Sequence, residues 1–311
     1  MSKEYLDYWG LKKDPFHLAP DNEMMYLGGQ YYECFERLLY AVNTNKGGAL
    51  LVSEEAGLGK TTILLRLISE MQWGFGENFR YAFIDHPTLT VAQLMSQISS
   101  SLLGMEPQGD KFLNLVKLKE QLTQLKIAGG KAVIIVDEAH MLHDRIEVLQ
   151  DLRMLLNLTH EGEYLFTMIL SGQKPLWDLL RGIPEFWQRL PVKYYLRRLK
   201  FQETRDLVSF RLNKAGFDED REVFSKEALE IVQDFSHGLP RTIVALCDLS
   251  LLIGSAYHAR RIGFKEVSKA IHAMSGKGDN ESLPFVDAGK RPEKKDDDES
   301  FFRNLIKRIR G

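Results

Sequence analysis

Short apolar runs recur through the first two thirds of the chain. Each is four or five residues long, rich in β-branched side chains, and followed by a turn or by helical spacing, which is typical of strands buried in a parallel sheet. Four clear runs and one weaker one lie at residues 49–52, 81–84, 132–136, 166–170 and 192–196. Helical spacing between them predicts an α/β core with helices on both faces of the sheet.

The pattern changes near residue 200, where strand signals stop and helical spacing continues to about residue 275. We expect an N-terminal segment over residues 1–45, an α/β core over 46–200 and a small all-helical domain over 201–275. Residues 276–299 are polar and acidic, a composition that predicts a disordered linker. Residues 300–311 predict a basic amphipathic helix that can lie on a membrane surface or bind in a groove of a protein partner, or else pack on its own domain.

The composition narrows the class of protein. The 311 residues carry a formal charge of −2, with a pI near 6.5, which gives no overall electrostatic case for nucleic acid binding. Cys34 and Cys247 are far apart and lack metal-ligand spacing, so we expect buried thiols and no zinc site. The N-terminus has no signal-peptide pattern and no apolar run is long enough to span a membrane, so we expect a cytoplasmic location.

A glycine-rich loop follows the first predicted strand and leads into helical spacing, the context that makes a phosphate-binding loop credible. Its glycines let backbone N–H groups surround phosphate oxygens at a helix start. We expect Lys60 to balance the phosphate charge of ATP and the Thr61 hydroxyl to bind Mg²⁺. The residues expected to contact the nucleotide are Glu55, Ala56, Gly57, Leu58, Gly59, Lys60, Thr61 and Thr62.

One position departs from the usual phosphate-loop pattern, which has glycine where this chain has Glu54. A glutamate there can strain the first turn of the loop or place a carboxylate near the phosphates.

Two adjacent acids end the third predicted strand. In parallel sheets the carboxyl ends of the strands face the ligand crevice, so Asp137 and Glu138 are expected there. Asp137 is expected to hold Mg²⁺, and Glu138 to orient or deprotonate the water that attacks the γ-phosphate.

The order of six motifs resembles the AAA+ ATPases of the general secretion pathway protein A type. They are Gly-Lys-Thr-Thr (59–62), Val-Asp-Glu-Ala-His (136–140), Leu-Arg-Met-Leu-Leu-Asn (152–157), Leu-Ser-Gly-Gln (170–173), Gln-Arg-Leu (188–190) and Gly-Leu-Pro-Arg (238–241). The resemblance covers residues 5–275, and its opening segment matches at residues 8–11 and 14–16. It implies a P-loop core with a helical lid, a homo-oligomer in a ring or filament, and nucleotide at subunit boundaries.

The resemblance also assigns roles to residues outside the loop. Ser171 or Gln173, after the fourth strand, is expected to sense the γ-phosphate or the attacking water, and Arg241 to contact the phosphates of its own subunit. Arg189, before the fifth strand, is the expected arginine finger for a neighbour, with Arg181 as the competing candidate.

The resemblance implies an oligomeric ATPase that assembles or remodels a protein partner complex, linked to secretion or envelope assembly at the inner face of the membrane. The alternative is a DNA-associated ATPase of the transposition-regulator type. Its local support is the basic stretch at residues 193–200 and the pair at 260–261. A DNA complex that weakens steeply with salt would favour this alternative.

Overall fold

The computed structural model describes residues 4–104, 111–217 and 222–275. It divides into two compact units. Of the described residues, one unit comprises 29–104 and 111–197, and the other comprises 4–28, 198–217 and 222–275. The predicted linker and tail, residues 276–311, lie outside the described residues.

The described helices and strands alternate along the first unit, as the apolar pattern predicts. The strands are β1 (Gly48–Ser53), β2 (Phe79–Ile84), β3 (Lys131–Val136), β4 (Thr159–His160), β5 (Glu163–Tyr164), β6 (Thr167–Gln173) and β7 (Val192–Leu196). The α-helices in the described parts of both units are α1 (Glu4–Trp9), α2 (Gln30–Asn43), α3 (Lys60–Phe75), α4 (Val91–Leu103), α5 (Lys111–Ile127), α6 (Ile146–Leu155), α7 (Lys174–Arg181), α8 (Pro184–Trp187), α9 (Phe201–Lys214), α10 (Lys226–Ser236), α11 (Pro240–Ala256) and α12 (Phe264–Met274).

The main sheet of the described chain is parallel and has five strands in the order β2-β3-β6-β1-β7. Its central strands β1, β3 and β6 are almost wholly buried, which is why they read as continuous apolar runs in the sequence. Side chains of β1, β3 and β6 join those of α4, α6 and α7 in one apolar core. The predicted α/β class is confirmed.

The second unit contains α1 and α9 to α12 among its described elements. Trp9 is buried there, and its indole Nε1 donates a 2.9 Å hydrogen bond to the Leu251 carbonyl of α11. The N–H of Lys12 donates to the Ala215 carbonyl at 2.8 Å. The start of the chain is therefore part of the helical unit.

Helix α2 belongs to the sheet unit, because the Gln30 side chain donates to the Arg197 carbonyl at 2.7 Å and accepts from the Arg197 N–H at 2.9 Å, at the end of β7. The predicted N-terminal segment, residues 1–45, is divided between the two units after residue 28. Within the described ranges, no helix is both long and apolar enough to cross a bilayer.

Candidate functional site

The loop between β1 and α3 depends on two glycines. Gly57 and Gly59 have φ of 85° and 88°, in the left-handed region that side chains with a Cβ rarely adopt. Gly59 is the residue before α3, and no side chain caps the helix there. The first N–H groups of α3 are thus arranged to receive an anion, and the helix dipole adds to that preference.

Lys60 is the first residue of α3, and only 4% of its surface is exposed. Its Nζ donates a 2.9 Å hydrogen bond to Ser53 Oγ, and that hydroxyl donates to the Glu55 carbonyl at 2.6 Å. Ser53, the last residue of β1, therefore joins the lysine to the backbone of the loop. A buried ammonium group in such a loop suits a negatively charged ligand.

Glu54 fits the loop without a left-handed backbone, since its φ is not positive. Its side chain is exposed, and its negative charge, after burial, is the second cause that raises the pKa of Tyr195 on β7. The backbone strain that the sequence suggested for Glu54 is therefore not found, because this turn does not need glycine at position 54.

Thr61 and Asp137 bring together the oxygen atoms that a magnesium ion prefers. The Thr61 hydroxyl donates to Asp137 Oδ2 at 2.6 Å, although the two residues are 76 positions apart. The Glu138 N–H donates to Asp137 Oδ1 at 2.9 Å, and Asp137 is almost fully buried. A hydroxyl and a carboxylate in contact at the end of β3 fit Mg²⁺, which binds few protein oxygens together with phosphate oxygens.

Glu138 lies beside His140, which was not among the predicted site residues. Its Oε2 is 3.2 Å from His140 Nδ1, and Nε2 of the Gln173 amide is 3.3 Å from His140 Nε2. The backbone of Glu138 is left-handed, with φ of 50°. The signal in the sequence was the histidine that closes Val-Asp-Glu-Ala-His, but its contact with Gln173 depends on strand pairing.

The two candidate sensors differ in position. The sequence predicted that both residues follow the strand. The structure instead places both inside β6, which continues to Gln173. Ser171 pairs with Leu51, is fully buried, and its hydroxyl has no hydrogen-bond partner among the described residues. Gln173 pairs with Ser53, two residues nearer the carboxyl edge, and contacts His140. Of the two, Gln173 therefore lies nearer the carboxyl edge of the sheet, where the phosphate loop begins.

Arg189 and Arg181 lie elsewhere on the sheet unit. A Cβ on Gly48, the first residue of β1, would be 2.6 Å from the Arg189 carbonyl oxygen, so Arg189 lies at the amino end of β1, opposite the phosphate loop. Its guanidinium donates to the Asn157 side chain. Arg181 is exposed at the last position of α7.

Arg241 belongs to the helical unit, where it is exposed in the first turn of α11, which begins at Pro240. The preceding Gly238 has φ of 77°, and a Cβ there would be 2.0 Å from the Leu199 carbonyl oxygen. Glycine is therefore required for this approach to α11.

Comparisons with known proteins agree with this architecture. Residues 43–180 match the model of a family described as AAA domain. The chain is 30% identical to general secretion pathway protein A of Aeromonas hydrophila over 276 residues, which is 88% of this chain and 49% of that protein. It is 26% identical to an uncharacterized HTH-type transcriptional regulator of Methanocaldococcus jannaschii, over 50% of this chain and 38% of the regulator. The chain thus spans half or less of the length of these relatives.

Solved structures share the fold at low sequence identity. The Drosophila ORC bound to DNA aligns with a TM-score of 0.64 at 18% identity, covering 88% of this chain and 66% of the other. The Aeropyrum pernix ORC2 protein aligns with a TM-score of 0.61 at 18% identity, covering 81% and 69%. At this identity the likeness concerns the fold alone.

Proposed function

We propose that this chain, an AAA+ P-loop protein related to general secretion pathway protein A, binds ATP with Mg²⁺ and hydrolyses it to ADP and phosphate. The relationship rests on the AAA domain and on the similarity over most of the chain. The observation that carries the proposal is the contact between the Thr61 hydroxyl and the Asp137 carboxylate, which joins the start of α3 to the end of β3, with the Lys60 ammonium bonded to Ser53 at the end of β1. Buried Lys60 lies next to Thr61, whose hydroxyl contacts Asp137 at 2.6 Å.

Each residue of this arrangement has one proposed task. Lys60 and the loop residues 55–62 hold the phosphates, and Thr61 and Asp137 hold Mg²⁺. The metal, when bound, offsets the negative charge that builds up on the phosphate oxygens. Glu138 orients the attacking water and accepts its proton, a contribution typically worth about 10²–10⁴ in rate.

The sharpest test separates binding from hydrolysis. Lys60→Ala removes the buried cation, so we expect ATP binding to be lost in calorimetry; the exposed Lys119→Ala is the matched control. Glu138→Gln keeps the shape of the side chain but not the base, so we expect bound, unhydrolysed ATP. The exposed Glu147→Gln is its control. ATP affinity unchanged in Lys60→Ala would refute the site, and normal turnover in Glu138→Gln would remove Glu138 from the mechanism.

We propose that Arg189 acts as the finger of a site shared between copies of the chain. It lies about 17 Å from the loop of its own chain, taking roughly 3.3 Å per residue along β1. A finger role for Arg189 therefore requires a neighbouring copy. Arg241, in the helical unit, is proposed to contact the phosphates of its own subunit.

We further propose that ATP turnover drives assembly or remodelling of a protein complex linked to secretion. This rests on the relative named general secretion pathway protein A. Attachment at the inner face of the membrane through residues 300–311 remains a prediction from the sequence, since those residues lie outside the described chain. Co-purification of the ATP-trapped Glu138→Gln variant with envelope proteins is the test, with the Lys60→Ala variant as the control.

The DNA-associated alternative has weaker support in the structure. Lys193, in the basic stretch, donates to the Leu190 carbonyl and packs over the Trp187 ring at 4.3 Å, and its burial lowers its pKa. That lysine is thus engaged within its own chain. Retarded migration of DNA that needs ATP and weakens steeply with salt would favour this alternative.

A further inference from the structure

We propose that the free edge of β2 is a docking site for an extended segment of a protein partner, which pairs with β2 as an added strand and carries acidic side chains beside Arg80. The site is separate from the phosphate loop and does not depend on the ATPase function proposed above. It is carried by an open strand edge at one side of the sheet and by a cleft that β2 lines.

The main chain of β2 has one side without a strand. Among the described residues, β2 is the outermost strand of the sheet and pairs only with β3. The Ile84 carbonyl accepts the Asp137 N–H at 2.8 Å, so the main-chain groups of Ile84 point toward β3. Because these groups alternate in direction along a strand, the N–H and C=O of Tyr81 and Phe83 point to the open edge. Such an edge is a template for another extended chain.

A cleft of about 690 Å³ is lined by β2 from Phe79 to Phe83, together with Gln72 of α3 and Ser101 of α4. Phe79, Tyr81 and Phe83 lie on one face of the strand, and the first two rings stack with centroids 5.7 Å apart. Tyr81 and Phe83 are only half-buried. An added strand would place every second side chain against these rings, a position that favours β-branched and other apolar residues.

Arg80 sets the preference on the other face of the added strand. It lies between Phe79 and Tyr81, is exposed, and forms no ion pair with any described residue. Side chains alternate between the faces of a strand, so the residues between the apolar ones would lie on the side of Arg80. Opposite charges across two strands stabilise their pairing. The expected segment therefore alternates apolar and acidic residues.

A large exposed ring lies next to the cleft in the sequence. Trp73 follows Gln72 on α3 and is 86% exposed. Exposed aromatic side chains are enriched at the surfaces through which proteins bind each other. The end of α3 thus adds apolar contact area for a partner beside the open strand.

The first test uses a defined peptide, acetyl-Thr-Val-Glu-Val-Glu-Val-Thr-amide, whose affinity is measured by calorimetry. We expect a Kd below about 1 mM. Two further forms carry N-methyl groups either on the valines or on the glutamates. Only one of these two sets of N–H groups can face β2, so one form should lose at least about tenfold in affinity and the other should keep it. Equal effects of the two forms would overturn main-chain pairing.

The second test changes the protein. Tyr81→Pro removes an N–H that faces the open edge and leaves the bonds to β3, so it should bind the peptide at least about tenfold more weakly than Tyr81→Val, which keeps the N–H. Arg80→Glu should reject this peptide and prefer the form with lysine in place of glutamate. Arg205→Glu, at an exposed arginine of α9, is the matched control and should change neither affinity. Normal ATP binding by each variant shows that the sheet unit is folded.

A third test observes the edge directly by hydrogen exchange. The amides of Tyr81 and Phe83 should exchange rapidly in the free protein and at least about tenfold more slowly with saturating peptide, because pairing protects them. Protection that instead grows with protein concentration in the absence of peptide would overturn the proposal, since the occupant would then be a second copy of this chain.

The remaining outcomes separate this site from the ATPase. No peptide binding at about 1 mM, or equal affinity in Tyr81→Pro, Tyr81→Val and Arg80→Glu, would overturn the docking site and leave the ATPase untouched. A wild type that binds the peptide as expected but does not bind ATP would support the docking site while the proposed ATPase fails.

Discussion

Replacement of Arg189 by alanine is expected to separate ATP binding from ATP hydrolysis. Arg189 and the phosphate loop lie at opposite ends of β1, about 17 Å apart at roughly 3.3 Å per residue. Two unit charges at that distance in water interact by about 0.2 kcal/mol, and salt screens this further. The loss of the guanidinium should therefore change the ATP affinity of an isolated subunit by less than about 1.5-fold.

Hydrolysis should respond very differently if Arg189 completes the site of a neighbouring copy. An arginine finger supplied in trans is worth about 10³–10⁵ in rate. Calorimetry on dilute protein measures the affinity, and phosphate release at assembling concentrations measures the rate. Arg80→Ala, which removes an exposed arginine of β2, is the matched control and should change neither.

A mixing experiment tests whether the site is shared. Arg189→Ala copies keep an intact phosphate loop, and Lys60→Ala copies keep the finger, so a mixture should regain turnover that neither variant shows alone. Normal turnover by Arg189→Ala would refute the reasoning. So would an inactive mixture in which differently labelled copies demonstrably co-assemble, and Arg181 would then be the next residue to test.

Two further predictions concern the helical unit. Burial, and then the charge of Asp14, raise the pKa of Asp248 from 3.8 to about 6, so the folded state binds the proton more tightly and stability falls as pH rises through that window. Asparagine in Asp248→Asn can still accept the hydrogen bond from the Tyr5 hydroxyl. This variant should raise the free energy of unfolding by about 1 kcal/mol at pH 8, allowing for solvent screening, and change it little at pH 4. Equal gains at both pH values in urea unfolding would contradict this. Gly238→Ala should cost at least about 2 kcal/mol, because of its positive φ and the 2.0 Å approach to the Leu199 carbonyl, and an unchanged melting temperature would show that α11 can shift.

Local pattern was enough to predict the strands and the phosphate loop. Each central strand is buried on both faces, so it appears in the sequence as a continuous apolar run that can be recognised without knowing which strands pair with it. The loop is a contiguous segment whose glycines, lysine and threonine have their roles within one turn of backbone. Asp137 and Glu138 could be placed near it because the carboxyl ends of parallel strands share one edge.

Other features depend on contacts that no local pattern contains. His140 meets Gln173 across 33 positions, and only the pairing of β6 beside β3 brings them together. Trp9 packs against α11 and bonds to Leu251, 242 positions away. Because no local pattern contains this contact, the start of the chain was predicted to be a separate segment. The hairpin of β4 and β5 was missed because two-residue strands carry too little alternation to detect.

The strand order places the predicted sensor Gln173 between the two sides of the proposed site. Since β6 lies between β3 and β1, Gln173 ends its strand between the side that holds Asp137 and the side where Ser53 holds Lys60. The Gln173 side chain contacts His140, which lies beside Glu138 after β3. In the sheet, Gln173 pairs with Ser53, the residue that binds Lys60. The three central strands thus provide the proposed groups for phosphate, metal, water and sensing. The proposed finger Arg189 lies at the far end of β1 from the phosphate loop of its own chain, so in that role it would have to reach the site of a neighbouring copy. Under the proposal, a single subunit binds ATP and hydrolysis needs a neighbour.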